Sequence, residues 1–246
     1  MAMQSVMHVL LNLGRKCISF LPVVMPLFLI SSRSSEPRLR EFAVEHLGQI
    51  ISIVRSHVRK YLPALLALVQ DNLYSSGAVQ MHCIVLVLQL SLALKDEFRG
   101  HLHALMPMLL TVLHVDASDR RMPTLELLHA LQSFGQNIVS QFNTVLPAVL
   151  RLCEQVDTAA HVRSCALNFL GRLCGRQDIQ EYASRLVLGL VRIHDVAQVD
   201  RRGDGRTLLR NHVEGAVALV SALVSVRQTE LFAYSGLLFV PRVPGG

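Results

Sequence analysis

The side chains of this sequence that could do chemistry are eleven histidines, five cysteines and one dense run of arginines. A zinc site would draw on His, Cys and carboxylate ligands at short fixed spacings such as HExxH or paired CxxC. Neither spacing occurs. His101 and His103 stand close together and His57 lies beside Arg59 and Lys60, but no Glu or Asp is placed to complete a triad. Cys17, Cys83, Cys153, Cys165 and Cys174 all fall inside apolar stretches, where a free thiol behaves as a small hydrophobe. Cys165 and Cys174 come near one face of a helix by their spacing; two buried thiols are expected rather than a bridge or a metal site. Their odd number points to a reducing compartment.

The arginine run lies in DVAQVDRRGDGRTLLR, which holds Arg201, Arg202, Arg206 and Arg210. Its Arg202-Gly203-Asp204 matches an adhesion tripeptide, but so short a string is read as accidental. A charge run of this kind is ordinarily a solvated loop. The sharper reading is a contact for an acidic or phosphorylated partner at those four arginines. Enzyme signatures are missing: no nucleotide-binding Gly-rich loop, no catalytic-loop Asp with its downstream Asn, no DFG-type metal ligand and no nucleophile elbow. Neither catalytic residues nor a cofactor or metal is expected in this chain.

The elements that carry these residues are apolar helices. The composition is 51% hydrophobic but only 5% aromatic, with no Trp, so the core must be built from many similar aliphatic contacts. The net charge of +6 raises nucleic acid as a partner. However, the 24 basic residues are scattered among 18 acidic ones, with no aromatic interleaving for base stacking, and no nucleic-acid partner is expected. The longest apolar run, Ile18 to Ile30, is too short to span a bilayer and contains two prolines. The first positive charges, Arg15 and Lys16, follow an apolar stretch, the reverse of a secretory signal. Buried core helices, not transmembrane segments, are expected.

Self-similarity organises the chain. FLPVVMPLFL from Phe20, YLPALLALV from Tyr61, HLHALMPMLL from His101 and QFNTVLPAVL from Gln141 start 41, 40 and 40 residues apart, and EYASRLVLGLV from Glu181 follows 40 later. A second landmark keeps the same period: Arg55, Lys95, Gly135 and Gly175 each end an apolar-periodic stretch. Gly135 and Gly175 sit where a residue just past a helix turns left-handed. Each unit reads as two helices. The first has Leu39, Phe42, Ala43, Leu47, Ile50 and Val54 on one stripe; the second has Val58, Leu62, Leu65, Leu66, Val69 and Leu73. Pro22 and Pro63 suit the first turn of the second helix. Pro26, Pro107 and Pro147 lie further in, so that helix should bend or begin later than its pattern suggests. His101 takes the slot of Phe20 and Tyr61, so packing at a helix start is its expected role. The fold class is all-α, an α-solenoid of about five to six HEAT-type antiparallel pairs, since neighbours must cover each pair's apolar face. The starting helix MQSVMHVLLNL has no polar capping repeat, as expected of a piece of a longer solenoid.

The succession FAVEHLGQIISIVRSHVRKYLPALLALV, FRGHLHALMPMLL, HALQSFGQNI, VLPAVLRL and YASRLVLGLVR resembles the middle helical-repeat region of the target-of-rapamycin (TOR) kinases, most clearly from Val6 to His194. The resemblance implies a non-catalytic scaffold segment of a Ser/Thr protein kinase. Its implied partners are raptor-type or rictor-type subunits and a second TOR copy. Its implied location is cytoplasmic, with peripheral attachment to endomembranes within a complex. Residues 1–194 are read as the repeats, 195–210 as a longer basic connection, and 211–246 as a divergent or truncated terminal pair, because VPRVPGG stands where the family's solenoid would continue. The competing readings are a stand-alone HEAT or armadillo adaptor, such as a transport receptor or phosphatase scaffold, and a nucleic-acid-binding solenoid.

Overall fold

Apolar residues at three- and four-residue steps build nine α-helices among the described residues. They are α1 (Ala2–Leu13), α2 (Leu21–Ser31), α3 (Pro37–Val54), α4 (Leu62–Asn72), α5 (Ala78–Leu94), α6 (Arg99–Val115), α7 (Met122–Ser133), α8 (Phe142–Glu154) and α9 (Ala160–Cys174). The structure, a computed structural model, describes residues 2–75, 77–155 and 158–174 together with Leu188, Gly189 and Arg192. No strand occurs among them. Two compact units are present, residues 1–148 and 149–246.

In the first unit the helices form two layers. α1 packs on α3, α3 on α5 and α5 on α7, while α2 and α4 touch in the second layer. The pairs α2–α3, α4–α5 and α6–α7 close the layers on each other. This side-by-side packing of antiparallel pairs is the all-α solenoid arrangement expected from the period. α5 shows why stacking is needed. Its sequence AVQMHCIVLVLQLSLAL is apolar on nearly every side, and Cys83, Ile84, Leu86, Val87 and Leu90 are all fully buried. A helix apolar all round must be covered all round, and α3, α4, α6 and α7 do that. Each such Leu or Ile contributes roughly 1.5–3 kcal/mol on burial.

The stripes are as read, with two adjustments. Ala43, Leu47, Ile50 and Val54 of α3 and Val58, Leu65, Val69 and Leu73 are buried, whereas Leu39, Phe42, Leu62 and Leu66 are half-buried. The slot of Phe20, Tyr61 and His101 is not a core position. Phe20 is 52% exposed, Tyr61 half-buried and His101 exposed. Each precedes or opens a helix on its water side.

The prolines fall where expected. Pro22 and Pro63 lie in the first turns of α2 and α4. Pro26, Pro107 and Pro147 lie inside α2, α6 and α8, so these helices do not begin later than their apolar pattern. All three are exposed, as are Pro22, His103 and Asn143 four residues before them. The carbonyls released by the missing N–H groups therefore lie on the side where water can bond them.

Short 3₁₀ turns join odd helices to even ones: Gly14–Phe20, Arg55–Tyr61, Lys95–Phe98 and Gly135–Gln141. The first residue of each has positive φ: 53° at Gly14, 50° at Arg55, 50° at Lys95 and 57° at Gly135. The positive φ anticipated at Gly135 is thus present, and Arg55 and Lys95 also take positive φ, with ψ −123° and −124°, without being glycine. Gly175 lies outside the described residues.

The opposite connections, from even helices to odd, are closed by side chains. Arg40 Nε donates to the Ser34 carbonyl at 3.0 Å and Gln80 Nε2 to the Leu73 carbonyl at 2.9 Å. Arg121 donates to the carbonyls of Asp116 and Leu113. In the second unit, buried Arg163 donates to the carbonyls of Gln155 (2.8 Å) and Thr158 (3.3 Å). One long donor per connection satisfies carbonyls that a helix end leaves unbonded.

Two continuous helical stretches, Met3–Ser31 and Ala78–Val115, are long and apolar enough by composition to cross a bilayer. Each is broken at a positive-φ residue, Gly14 and Lys95, into helices of 12 and 11 and of 17 and 17 residues. A single spanning helix needs about 20.

Candidate interaction surfaces

Arg201, Arg202, Arg206 and Arg210, the Arg-Gly-Asp string, the 195–210 connection and the 211–246 pair all lie outside the described residues. The remaining chemically capable side chains can be placed. His57 is exposed. His101 sets its ring 6.0 Å from that of buried Phe98. His103 Nδ1 pairs with Gln141 Oε1 at 2.9 Å. Among the described residues no three His, Cys, Asp or Glu side chains converge as metal ligands would.

Cys17, Cys83 and Cys153 are buried and Cys165 is half-buried, all as free thiols. Burial pushes every one of them up, to about 12 for Cys83 and, despite the opposing field of Arg163, to about 12 for Cys153. A thiol so placed is protonated at neutral pH and is a poor nucleophile. The side chain of Cys174 lies outside the described residues.

Asp116 has a built environment. Its carboxylate accepts from Ser118 N (3.0 Å) and Oγ (2.6 Å) and from Thr124 N (3.0 Å) and Oγ1 (2.7 Å). Burial alone would raise its pKa, but these four bonds hold it below the usual carboxylate range. The Thr124 bonds cap the first turn of α7 from the preceding connection. The role is structural. Beside it lies a recess of about 670 Å³, lined by Tyr74, Gly77, Met81, Ser118, Arg120 and Met122 among others.

Two further surfaces stand out. The first is apolar. Val9 of α1, Phe20, and Val23, Leu27 and Ile30 of α2 are 42–75% exposed. Val9, Phe20 and Val23 also border a groove of about 380 Å³ that includes Val6, Leu10 and Leu13. The equivalent slots one repeat later hold Ala64 and Asp71 for Val23 and Ile30.

The second surface is basic and follows the odd-to-even turns. Arg15, Lys16, Arg55, Arg59, Lys60, Lys95 and Arg99 are all exposed there, in or beside three successive turns. They are seven of the twelve Lys and Arg in residues 1–148, while only Asp96 and Glu97 of the nine Asp and Glu share this edge. The turns are tied together. Arg59 donates to both oxygens of Glu97, through Nε at 2.6 Å to Oε2, and Arg99 pairs with Asp96 at 3.2 Å. Asn137 Nδ2 donates to the Lys95 carbonyl at 3.1 Å. Lys60 Nζ lies 5.5 Å from the centre of the Tyr61 ring. Reading the sequence by residue type missed this edge, because its charges are spread thinly along the chain and gather only when turns 40 residues apart are stacked.

Residues 1–55 match the family described as the serine/threonine-protein kinase mTOR domain. The chain is 32% identical over 208 residues to serine/threonine-protein kinase mTor of Drosophila melanogaster, covering 85% of this chain and 8% of that protein. It is 30% identical over 192 residues to serine/threonine-protein kinase TOR2 of Saccharomyces cerevisiae, covering 78% and 8%. It is 34% identical over 211 residues to serine/threonine-protein kinase TOR of Arabidopsis thaliana, covering 82% and 8%. The chain thus spans less than a tenth of the length of these relatives.

Proposed function

The chain belongs to the target-of-rapamycin family, and on that premise we propose that it is a non-catalytic helical-repeat scaffold segment that assembles proteins around a TOR-type Ser/Thr kinase. The observation that carries this reading is the two-layer stack itself. Its repeats hold their apolar residues inside and vary outward in charge and apolar exposure, as a surface that selects partners does. Among the described residues the histidines form no ligand cluster, the thiols of Cys83 and Cys153 are buried and Asp116 caps a helix, which agrees with the scaffold reading. On this reading the kinase activity belongs to a longer parent polypeptide, and this segment takes no cofactor.

The proposed partners are accessory subunits of the raptor or rictor type and a second copy of the parent. The proposed location is cytoplasmic, with attachment to endomembranes through the complex. The test begins with an antibody to this segment. The reading expects it to detect a polypeptide far longer than 246 residues and to co-precipitate protein kinase activity and accessory subunits. A band at the size of this chain alone, without kinase activity, would replace the reading by a stand-alone HEAT-type adaptor.

A further inference from the structure

We propose that the basic edge formed by the odd-to-even turns is a docking strip for an extended acidic segment of a partner protein. The inference rests on the scaffold reading above and names the surface and the chemistry of its occupant.

Charge in the first unit is segregated. The turn edge carries seven cations and two anions, and the remainder carries five cations and seven anions. Arg59 and Arg99 are engaged by Glu97 and Asp96. Arg15, Lys16, Arg55, Lys60 and Lys95 have no carboxylate within reach among the described residues. Five exposed like charges on one edge repel one another, and a complementary polyanion relieves that repulsion.

Spacing indicates the shape of the anion. Arg55 and Lys95 occupy the same slot of neighbouring repeats, each at the end of its odd helix with the same backbone angles, φ 50° with ψ −123° and −124°. α3 and α5 pack directly, so their ends repeat at the interaxial distance of about 8–10 Å. An extended peptide in the polyproline II conformation advances about 3.1 Å per residue with three residues per turn, so every third side chain returns to the same face about 9 Å on and would meet the next repeat. Asp or Glu at such positions could face Arg15 or Lys16, then Arg55 or Lys60, then Lys95. A nucleic-acid strand would want stacking rings along the path; Phe20 is exposed at this edge, whereas Tyr61 is half-buried beside Lys60.

The backbone supplies a clean test. Arg55→Gly and Lys95→Gly remove two cations at positive-φ positions that glycine prefers, so the variant retains its fold. The full 246-residue chain is titrated with a fluorescent peptide carrying Glu at every third position, and with the same peptide carrying Gln. Binding is read by anisotropy at low and high salt. The Glu peptide is expected to bind, and to release as salt shortens the screening length to about 3–10 Å. The double glycine variant should bind about fivefold more weakly, at the scale of two exposed charge pairs, with no loss of thermal stability. Arg33→Gln with Arg38→Gln, which removes two exposed cations elsewhere in the unit, should change little. Equal weakening by both pairs, equal binding of the Gln peptide, or preference for phosphatidylserine vesicles over the peptide would each overturn the proposal. The same variants in the parent polypeptide separate the two readings. Subunit capture that survives loss of peptide binding removes the docking strip and leaves the scaffold. Absence of any captured subunit, with peptide binding intact, removes the scaffold alone.

Discussion

Replacing Lys95 by glycine should stabilise the protein. Lys95 ends α5 at φ 50°, ψ −124°, in the region that the first central residue of a type II′ turn occupies and that L side chains avoid. Strain of this kind costs about 1–3 kcal/mol. Glycine removes it but gives the unfolded chain more freedom, a loss of about 0.4–1 kcal/mol. The Lys95 side chain is exposed and without an ion-pair partner among the described residues, and its carbonyl still accepts from Asn137. The net gain is then about 0.5–2 kcal/mol, a midpoint rise of a few degrees for a unit of this size. Arg55→Gly should behave alike. The reverse change, Gly135→Ala, sharpens the argument because a Cβ there meets nothing within 4 Å. Any destabilisation must come from backbone angle alone and should be about 1–2 kcal/mol. Urea unfolding followed by circular dichroism measures all three. A lower midpoint for Lys95→Gly, or an unchanged one for Gly135→Ala, would refute the view that this slot is strained.

Other consequences concern the connections and the core. Asp116 is held below the usual carboxylate range in the folded state, so its contribution is full above the unfolded value near 4 and fades as pH falls through the folded value. Asp116→Asn should flatten the acid limb of the stability curve, and Asp116→Ala should cost about 1–2 kcal/mol at pH 7 through loss of the α7 cap; midpoints measured from pH 2 to 7 check both. Leu90→Ala, in the fully buried face of α5, should cost about 2–5 kcal/mol in denaturant titration. Because Cys83 and Cys153 are pushed up to about 12, iodoacetamide at pH 8 should leave both unmodified in the folded chain, with labelling by mass spectrometry appearing only on unfolding.

The period, the helix pairs and the first-turn prolines were legible because each is a local pattern: a 3.6-residue stripe, a missing N–H or a residue type recurring every 40 positions. What was not legible depends on neighbours. Phe20 reads as a packing residue from its type, yet it lies 52% exposed, whereas Gln141 in the same slot three repeats later is buried, so residue type does not tell which occupant of the slot packs. Arg55 and Lys95 read as helix ends, but nothing in an arginine or lysine announces positive φ; the sign was carried by Gly14 and Gly135 in the same slot. The closing donors Arg40, Gln80, Arg121 and Arg163 do keep the repeat period, but one is glutamine and the offsets to the acceptors run from 5 to 8 residues, so residue type alone does not announce what they bond.

That difference between what recurs and what varies bears on how such a stack can select partners. The core positions of α3 and α5 are nearly interchangeable aliphatics, and the even-to-odd connections use whichever donor reaches a helix-end carbonyl. Both solutions tolerate substitution, so neither can encode a partner. The odd-to-even turns are different. Their backbone favours glycine at the first residue, yet two of the four described turns keep a long cation there and bear the strain. If the turn needed only to connect two helices, glycine would be the lower-energy choice at all four. Arg55 and Lys95 at such a site carry a cost that docking of an acidic segment, as proposed above, would offset, and the charges of this edge that have no ion-pair partner among the described residues lie where that contact can be made.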